Sequence, residues 1–256
     1  MSSESESLDE RVGKWLAEEG YRVEYEVNKA FRDIGIKSVM SNYFQTLEGT
    51  WREIDVTASI QSEDSYVNPD IVRIMFECKY SKDKPWILMH SGLKPQHPTD
   101  WICTPKSPNL NDKFFDLESA AKYFSTSWHY LPDHFLAHNM VQAFRRKNKD
   151  KDMAFDALQK IANAAWDYAI GPSQRGEPHA RIVCFPCLVI DGPLYWTWYD
   201  SEHGGFHLQR AQYGRISWTG ARGGTMVDVV QLAHIDDYAK EVKKSLQTML
   251  KALGSL

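Results

Sequence analysis

The sequence lacks any long hydrophobic run. Its longest unbroken apolar stretch, residues 182–190, has nine residues, whereas a helix that spans a membrane needs about 20. Residues 2–7 are all Ser or Glu, which is the opposite of the basic and apolar start of a signal peptide. These features predict a cytoplasmic protein that has no membrane as a partner.

Cysteine and an excess of one charge are also scarce. The chain has four cysteines in 256 residues, too few for the disulfide scaffold of a small secreted domain. The 30 Lys and Arg residues against 34 Asp and Glu residues leave a formal net charge of −4. A nucleic-acid-binding surface would therefore have to be local, because phosphate contacts need clustered Lys and Arg.

The hydrophobic periodicity predicts an α/β protein. Apolar residues at helical spacing predict a first helix from Leu8 that ends at Gly20, and alternation over residues 21–27 predicts a strand directly after it. The other predicted elements are strands at 36–47, 54–60, 71–80, 182–190, 194–199 and 226–232, and helices at 153–169 and 235–253. The strands 182–190 and 194–199 are predicted to pair as a hairpin across the turn Asp191-Gly192-Pro193.

The order of these elements predicts one domain over residues 1–256. Its core covers residues 8–88 and 152–200, and a strand and helix at 226–256 close the chain. Residues 89–151 differ from the core because Pro, His and Trp are frequent and no long period is sustained. We predict that this segment is an insertion, largely helical or irregular, with helical stretches near 115–125 and 132–146.

One group of charged residues has the composition of a catalytic site. In Glu77-Cys78-Lys79, near the end of a predicted strand, Glu77 and Lys79 share one face because side chains alternate across a sheet. Asp55 lies in the preceding predicted strand and can sit beside Glu77 if the two strands pair. Two adjacent carboxylates repel each other, and a hard dication such as Mg²⁺ relieves that repulsion by taking their oxygens as ligands.

An Asp on one strand and Glu-x-Lys on the next, after a helix and a strand, resembles the PD-(D/E)XK nuclease superfamily. Within it the sequence most resembles the restriction-endonuclease-like and Holliday-junction-resolvase-like branches. The resemblance implies a restriction-endonuclease-like mixed β-sheet core flanked by helices. It also implies Asp55 and Glu77 as metal ligands, the main-chain carbonyl of Cys78 as a third ligand, and Lys79 as the catalytic lysine. The metal would be Mg²⁺, with Mn²⁺ as its substitute.

The activity implied by this resemblance is metal-dependent hydrolysis of nucleic-acid phosphodiesters, with DNA preferred to RNA, in restriction or another host defence. Nucleic acid is thus the expected partner; a homodimer and a partner protein of a defence system both stay open. The Pro that often precedes the family's Asp is absent here, and 22 positions separate Asp55 from Glu77, which predicts a long connection between the strands.

Members of the superfamily often carry an acidic residue on the first helix, and Asp9 and Glu10 compete for that role here. At 100° per residue Asp9 borders the apolar face of the predicted helix, whereas Glu10 lies almost opposite it. The helical geometry therefore favours Asp9 as a further metal ligand.

Two other interpretations stay open. An Asp followed by Glu-x-Lys also occurs by chance, so the same fold could be a catalytically inactive module that binds nucleic acid or protein. A zinc site in the insertion is the third interpretation, since His134 and His138 would be one helical turn apart, with His129 and Cys103 nearby in sequence.

Overall fold

The computed structural model describes residues 6–62, 70–81, 83–90, 105–106, 108, 136–144, 152–174, 181–220 and 222–254. The helices of these residues are α1 (Leu8–Glu18), α2 (Tyr21–Asp33), α3 (Met153–Gln174) and α4 (Ile235–Gly254). The strands are β1 (Lys37–Gln45), β2 (Trp51–Gln61), β3 (Asp70–Tyr80), β4 (Trp86–Met89), β5 (Asn139–Gln142), β6 (Arg181–Asp191), β7 (Leu194–Asp200), β8 (Gly205–Arg210), β9 (Tyr213–Gly220) and β10 (Gly223–Gln231).

The strands form two sheets. The larger sheet has the order β1-β2-β3-β6-β10-β9, and the smaller has the order β5-β4-β7-β8. In the larger sheet β1, β2 and β3 are antiparallel, β6 is parallel to both β3 and β10, and β9 is antiparallel to β10. The prediction of an α/β protein with a mixed sheet flanked by helices is therefore confirmed.

A separate hydrophobic core covers each face of the larger sheet. On one face the core joins α2 and α4 to the sheet, with Phe31, Phe76 and Tyr238 fully buried. On the other face α3 and the smaller sheet pack through residues such as Leu158 and Trp86. The central strand β6 is buried from Ile182 to Ile190, which explains its continuous apolar run. No helix in the described ranges is long and apolar enough to cross a membrane.

The prediction of a strand over residues 21–27 is wrong, because these residues begin helix α2. Its buried residues Val23, Val27, Ala30 and Phe31 follow the spacing of one helical face, and the last two lie beyond the stretch that alternates. Gly20 separates α1 from α2 with a φ of 87°, a left-handed conformation that glycine adopts without strain. The helix α1 before it begins and ends close to the predicted positions.

The predicted hairpin of residues 182–199 is also wrong. Both edges of β6 are occupied, by β3 and β10, so β7 pairs with β4 and β8 in the smaller sheet instead. Gly192 lies at this crossing between the sheets, and a Cβ there would come within 2.2 Å of the carbonyl oxygen of Ser81. Only glycine fits such a close approach to another main chain.

The predicted insertion is described only in part. The stretch near 115–125 lies outside the described residues. Within the stretch predicted as a helix at 132–146, the described residues include strand β5, where Met140 and Gln142 are buried with the period of two that a strand requires. Beyond the insertion and α3, the C-terminal strand and helix are confirmed, since β10 enters the larger sheet and α4 packs on it.

Candidate functional site

Asp55 and Glu77 lie where the ladder between β2 and β3 ends. The last paired residues of that ladder are Val56 and Phe76, whereas β3 continues to pair with β6 as far as Tyr80. Just beyond the last pair, the main-chain N–H of Cys78 donates to Oδ2 of Asp55 at 2.7 Å. A carboxylate thus takes the place of a main-chain acceptor, and the two strands separate around it.

The neighbouring strand β1 is irregular at the same level. Ser41, which lies across from Asp55, has a φ of 49°, a left-handed conformation that is uncommon for a residue with a side chain. Ile54 and Val56 are both buried, but they pack in the cores on opposite faces of the sheet although they are two positions apart. The regular alternation is therefore interrupted at Asp55, and its carboxylate points into the gap towards β3.

Glu77 and Lys79 share one face of β3, as alternation predicts, and they form an ion pair in which Lys79 Nζ lies 2.5 Å from Glu77 Oε1. The Glu77 side chain is 1% exposed and that of Lys79 is 26% exposed. A carboxylate this deeply buried requires compensation by opposite charge or by hydrogen bonds. One lysine engages one of its two oxygens and leaves the other for a further cation.

That further cation is Lys160 of α3, which sequence analysis did not single out. Its Nζ lies 2.6 Å from Glu77 Oε2 and 3.3 Å from Asp55 Oδ1, so it bridges carboxylates of two different strands. The contact between the Lys160 ammonium and Glu77 Oε2 is an ion pair. We use the term candidate centre for Asp55, Glu77, Lys79 and Lys160.

The charges of the candidate centre compensate one another. Burial works to lower the pKa of Lys160, but the attraction of Glu77 and Asp55 outweighs burial and the pKa of this ammonium is raised. Lys160 is consequently held in its charged form. Two carboxylates therefore face two ammonium groups.

A third carboxylate approaches from the opposite face of the sheet. Glu24 lies on α2, and its pKa is raised to about 7, mainly by partial burial and then by the negative charges of Asp55 and Glu53. The charge of Lys160 opposes this shift. A carboxyl group with a pKa near 7 can gain or lose a proton near neutral pH, which the ordinary carboxyl group does not do.

The helix carboxylates predicted from the sequence lie elsewhere. Helix α1 has no buried residue, and Asp9 is exposed on it. Glu10 accepts hydrogen bonds from the main chain and the hydroxyl of Ser7, and so completes the N-terminal cap of α1. Glu24, rather than either of these residues, interacts electrostatically with Asp55. The spacing of Val23 and the later apolar residues of α2 could have indicated from the sequence that Glu24 lies on a helix.

Cys78 contributes its main-chain N–H, and its thiol faces away from Glu77 and Lys79 towards the core below α2 and α4. Burial raises the pKa of this thiol well above its usual range, and the charges of Asp55, Glu24 and Glu77 raise it further. The thiol therefore stays protonated. The role of the Cys78 carbonyl as a metal ligand stays a prediction.

A cleft of about 660 Å³ opens next to the candidate centre, between the hairpin of β1 and β2 on one side and α3 on the other. Lys160 belongs to both the cleft and the candidate centre. Arg52 and Arg222 also line the cleft, and Asp167 lies near both of them. The cleft thus meets the candidate centre at Lys160.

Within the ranges that the structure covers, no group of three or more His, Cys, Asp or Glu side chains is placed to hold a metal ion. His138 is exposed in a bend before β5, not on a helix, while His134, His129 and Cys103 lie outside the described residues. The predicted zinc site is therefore not assembled by the residues described here.

The chain matches no protein-family model, no curated protein and no solved structure. The resemblance to PD-(D/E)XK nucleases consequently rests on residues of this chain and stays a prediction. What the structure adds is the position of those residues relative to one another.

Proposed function

We propose that this protein is a metal-dependent nuclease that hydrolyses phosphodiester bonds of nucleic acid, DNA in preference to RNA. The observation that carries the proposal is the convergence of Asp55, Glu77 and Lys79 at the gap between β2 and β3. A surface Glu–Lys pair would have both partners in solvent. Here the carboxylate is 1% exposed and its surroundings hold a second carboxylate, which is costly for a purely structural role.

The order of the elements supports the same proposal. Helix α2, the antiparallel strands β1, β2 and β3, helix α3 and the parallel strand β6 occur in this order, with β4 and β5 between β3 and α3. The proposed metal ligands lie on β2 and β3. This is the order that the resemblance implies for a restriction-endonuclease-like core. The host-defence role stays a prediction from the resemblance alone.

The residues of the candidate centre fit a hard divalent cation in their chemistry. Mg²⁺ prefers carboxylate oxygens and is commonly held by one or two protein carboxylates, with water and substrate phosphate as the other ligands. Asp55 and Glu77 supply two such groups, and both contact the ammonium of Lys160, a cation, in the metal-free protein. A cation bound there would polarise a phosphoryl oxygen and lower the pKa of a water molecule.

The side chains of this chain have separate tasks in the proposed reaction. Lys79, held beside Glu77, stabilises the negative charge that builds up on the phosphoryl oxygens. Glu24, a carboxylate that interacts with both Asp55 and Glu77, takes up the proton that the attacking water loses. The bond between phosphorus and the leaving oxygen breaks as the new bond to the water oxygen forms. The cleft beside Lys160 gives the substrate its approach.

Cleavage assays test the proposal. Plasmid DNA, single-stranded DNA and RNA are incubated with the wild type in Mg²⁺, in Mn²⁺ or in EDTA. We expect cleavage with either metal and none with EDTA. Asp55→Asn, Glu77→Gln and Lys79→Met should each lower the rate by about 100-fold or more, the effect of removing one group that stabilises a transition state.

Matched controls come from the exposed surface of α4, where Asp237→Asn and Lys244→Met remove the same charges far from any buried partner. Both should cleave like the wild type. The mechanism is wrong if two of the three site variants keep the wild-type rate in preparations free of contaminating nuclease. Binding of DNA without cleavage under every metal condition would instead support the inactive binding module.

A further inference from the structure

Lys160 occupies the position that a bound cation would take between the two carboxylates. Its Nζ contacts Glu77 Oε2 at 2.6 Å and Asp55 Oδ1 at 3.3 Å, while Lys79 contacts the other oxygen of Glu77 at 2.5 Å. Both oxygens of the buried Glu77 therefore already face a positive charge. The same oxygens are the ones that a divalent cation would need as ligands.

The charge balance makes simultaneous occupation unfavourable. Asp55, Glu77, Lys79 and Lys160 have no net charge. A divalent cation added to them would bring two more positive charges into a partly buried site, against which Glu24 supplies at most one negative charge. Like charges at such short range strongly disfavour each other where water is scarce. One of the lysines must therefore leave, or the cation binds weakly.

Lys160 is the lysine that can leave. Its side chain is 37% exposed and lines the cleft of about 660 Å³, so the ammonium has an aqueous space to turn into. Lys79 is less exposed, at 26%, and lies two positions from Glu77 on the same strand. A lysine on a helix beside a cleft reaches water by rotating its flexible four-carbon stem, with no change in the main chain.

We propose that Lys160 is a displaceable internal cation, which neutralises Asp55 and Glu77 in the metal-free protein and moves into the cleft when a divalent cation binds. This inference rests on the proposed metal dependence, and it assigns Lys160 the part of a positioning residue. Lys160 thereby lowers the affinity for the metal, and after displacement its ammonium faces the cleft through which an anionic substrate would approach.

The first test measures the affinity of the full chain for Ca²⁺ by isothermal titration calorimetry, with no substrate and no turnover. Lys160→Met removes the competing charge, so we expect Ca²⁺ to bind about tenfold more tightly or better than in the wild type. Lys160→Arg keeps the charge and should bind no more tightly than the wild type. Lys244→Met, from exposed α4, is the matched control and should be unchanged.

The second test needs no variant and so does not depend on how Lys160→Met folds. Lysines of the wild type are labelled by reductive methylation, and the extent at each residue is measured by mass spectrometry with and without Ca²⁺. Labelling of Lys160 should increase at least about twofold on addition of Ca²⁺, because its ammonium is released from the carboxylates. Labelling of Lys244 should stay constant.

The outcomes separate this inference from the proposed function. If the wild type binds Ca²⁺ but neither Lys160→Met nor labelling shows the expected change, the displacement of Lys160 is wrong and the proposed metal site survives. If the wild type and all variants fail to bind Ca²⁺, both the inference and the metal dependence of the proposed function are wrong. Tighter binding together with increased labelling supports displacement.

Discussion

Two of the clusters of opposite charges at the larger sheet differ in how their charges are compensated. Arg215 and Asp228 are directly opposite each other on β9 and β10, with side chains that are 7% and 5% exposed. Arg215 Nε donates to Asp228 Oδ1 at 2.7 Å, and the hydroxyl of Tyr238 donates to Asp228 Oδ2 at 3.0 Å. We call Arg215 and Asp228 the closed pair, because each oxygen of the Asp228 carboxylate has a buried donor.

The charges of the candidate centre are less buried and less regularly placed. Its carboxylates come from two strands that have just separated, its two lysines are partly exposed, and a cleft reaches one of them. The closed pair satisfies its charges within a regular ladder, so no further ligand is needed. The candidate centre satisfies them with two partly exposed lysines, one of which we propose can be exchanged for a metal ion.

The largest expected effect on stability comes from breaking the closed pair. Asp228→Asn removes the charge that Arg215 Nε contacts in a buried ion pair, and removal of one partner of such a pair costs about 3–5 kcal/mol. Urea denaturation should show this loss as a lower midpoint with an unchanged slope. Replacing both partners, as Arg215→Met with Asp228→Leu, should cost less than the single change. A loss below about 1 kcal/mol for Asp228→Asn would mean that the pair is not closed.

A smaller effect, dependent on pH, is expected next to the candidate centre. The pKa of Glu24 in the folded protein is about 7, above its ordinary value of 4.5, so the folded state binds more protons than the unfolded state between these values. The contribution of Glu24 is therefore most favourable below pH 4.5 and is lost as the pH rises through 7. Relative to Glu24→Gln, the wild type should lose about 1–2 kcal/mol between pH 5 and pH 8 in EDTA, after allowance for solvent screening.

Denaturation of both proteins across that pH range, in EDTA, checks this prediction. The difference between them isolates Glu24 from the other titrating groups. A difference that grows in favour of the wild type with rising pH would contradict the raised pKa. Mg²⁺ should flatten the difference if it binds beside Glu24, because a nearby dication favours the ionised carboxylate.

The candidate centre itself should tolerate neutralisation better than the closed pair does. Glu77→Gln removes a carboxylate whose burial is costly, and the two lysines that lose their partner are partly exposed and can turn to water. We expect the free energy of unfolding to change by no more than about 1 kcal/mol, against the 3–5 kcal/mol of Asp228→Asn. Equal losses of unfolding free energy in Glu77→Gln and Asp228→Asn would mean that the candidate centre and the closed pair do not differ in this respect.

Most of the fold could be predicted from the sequence because its elements have clear periods. The apolar run of β6 and the alternation in β2 and β3 indicate strands whichever neighbours they have. Short strands such as β4, with four residues, do not sustain a period and were not predicted. The partner of β7 could not be inferred either, since it depends on both edges of β6 being occupied by distant segments.

Some features of the candidate centre could also be predicted from the sequence, and others could not. Glu77 and Lys79 share a face because alternation along one strand is a local property, and the sequence predicts it. The position of Asp55 in a gap beyond the ladder, and the arrival of Lys160 from α3, depend on how a helix crosses the sheet. Nothing in the neighbouring sequence distinguishes Lys160 from the other lysines of the chain. The sequence could have placed Glu24 on a helix. The apolar residues around it have a helical period, but residues 21–27 were predicted as a strand.

The smallest effect is expected from the first helix, and it tests which helix carries the third carboxylate. Asp9 is exposed on α1, and Glu10 caps that helix through Ser7, so neither should influence the candidate centre. Asp9→Asn should leave the affinity for Ca²⁺ and the rate of cleavage unchanged, and Glu10→Ala should lower the melting temperature only slightly by weakening the cap. Glu24→Gln should weaken the binding of Ca²⁺, because it removes a negative charge that acts on Asp55 and Glu77. Parallel measurement of the three variants decides between the helices. If Asp9→Asn changed metal affinity as much as Glu24→Gln, the carboxylate would come from α1, and the proton-accepting role of Glu24 would be wrong.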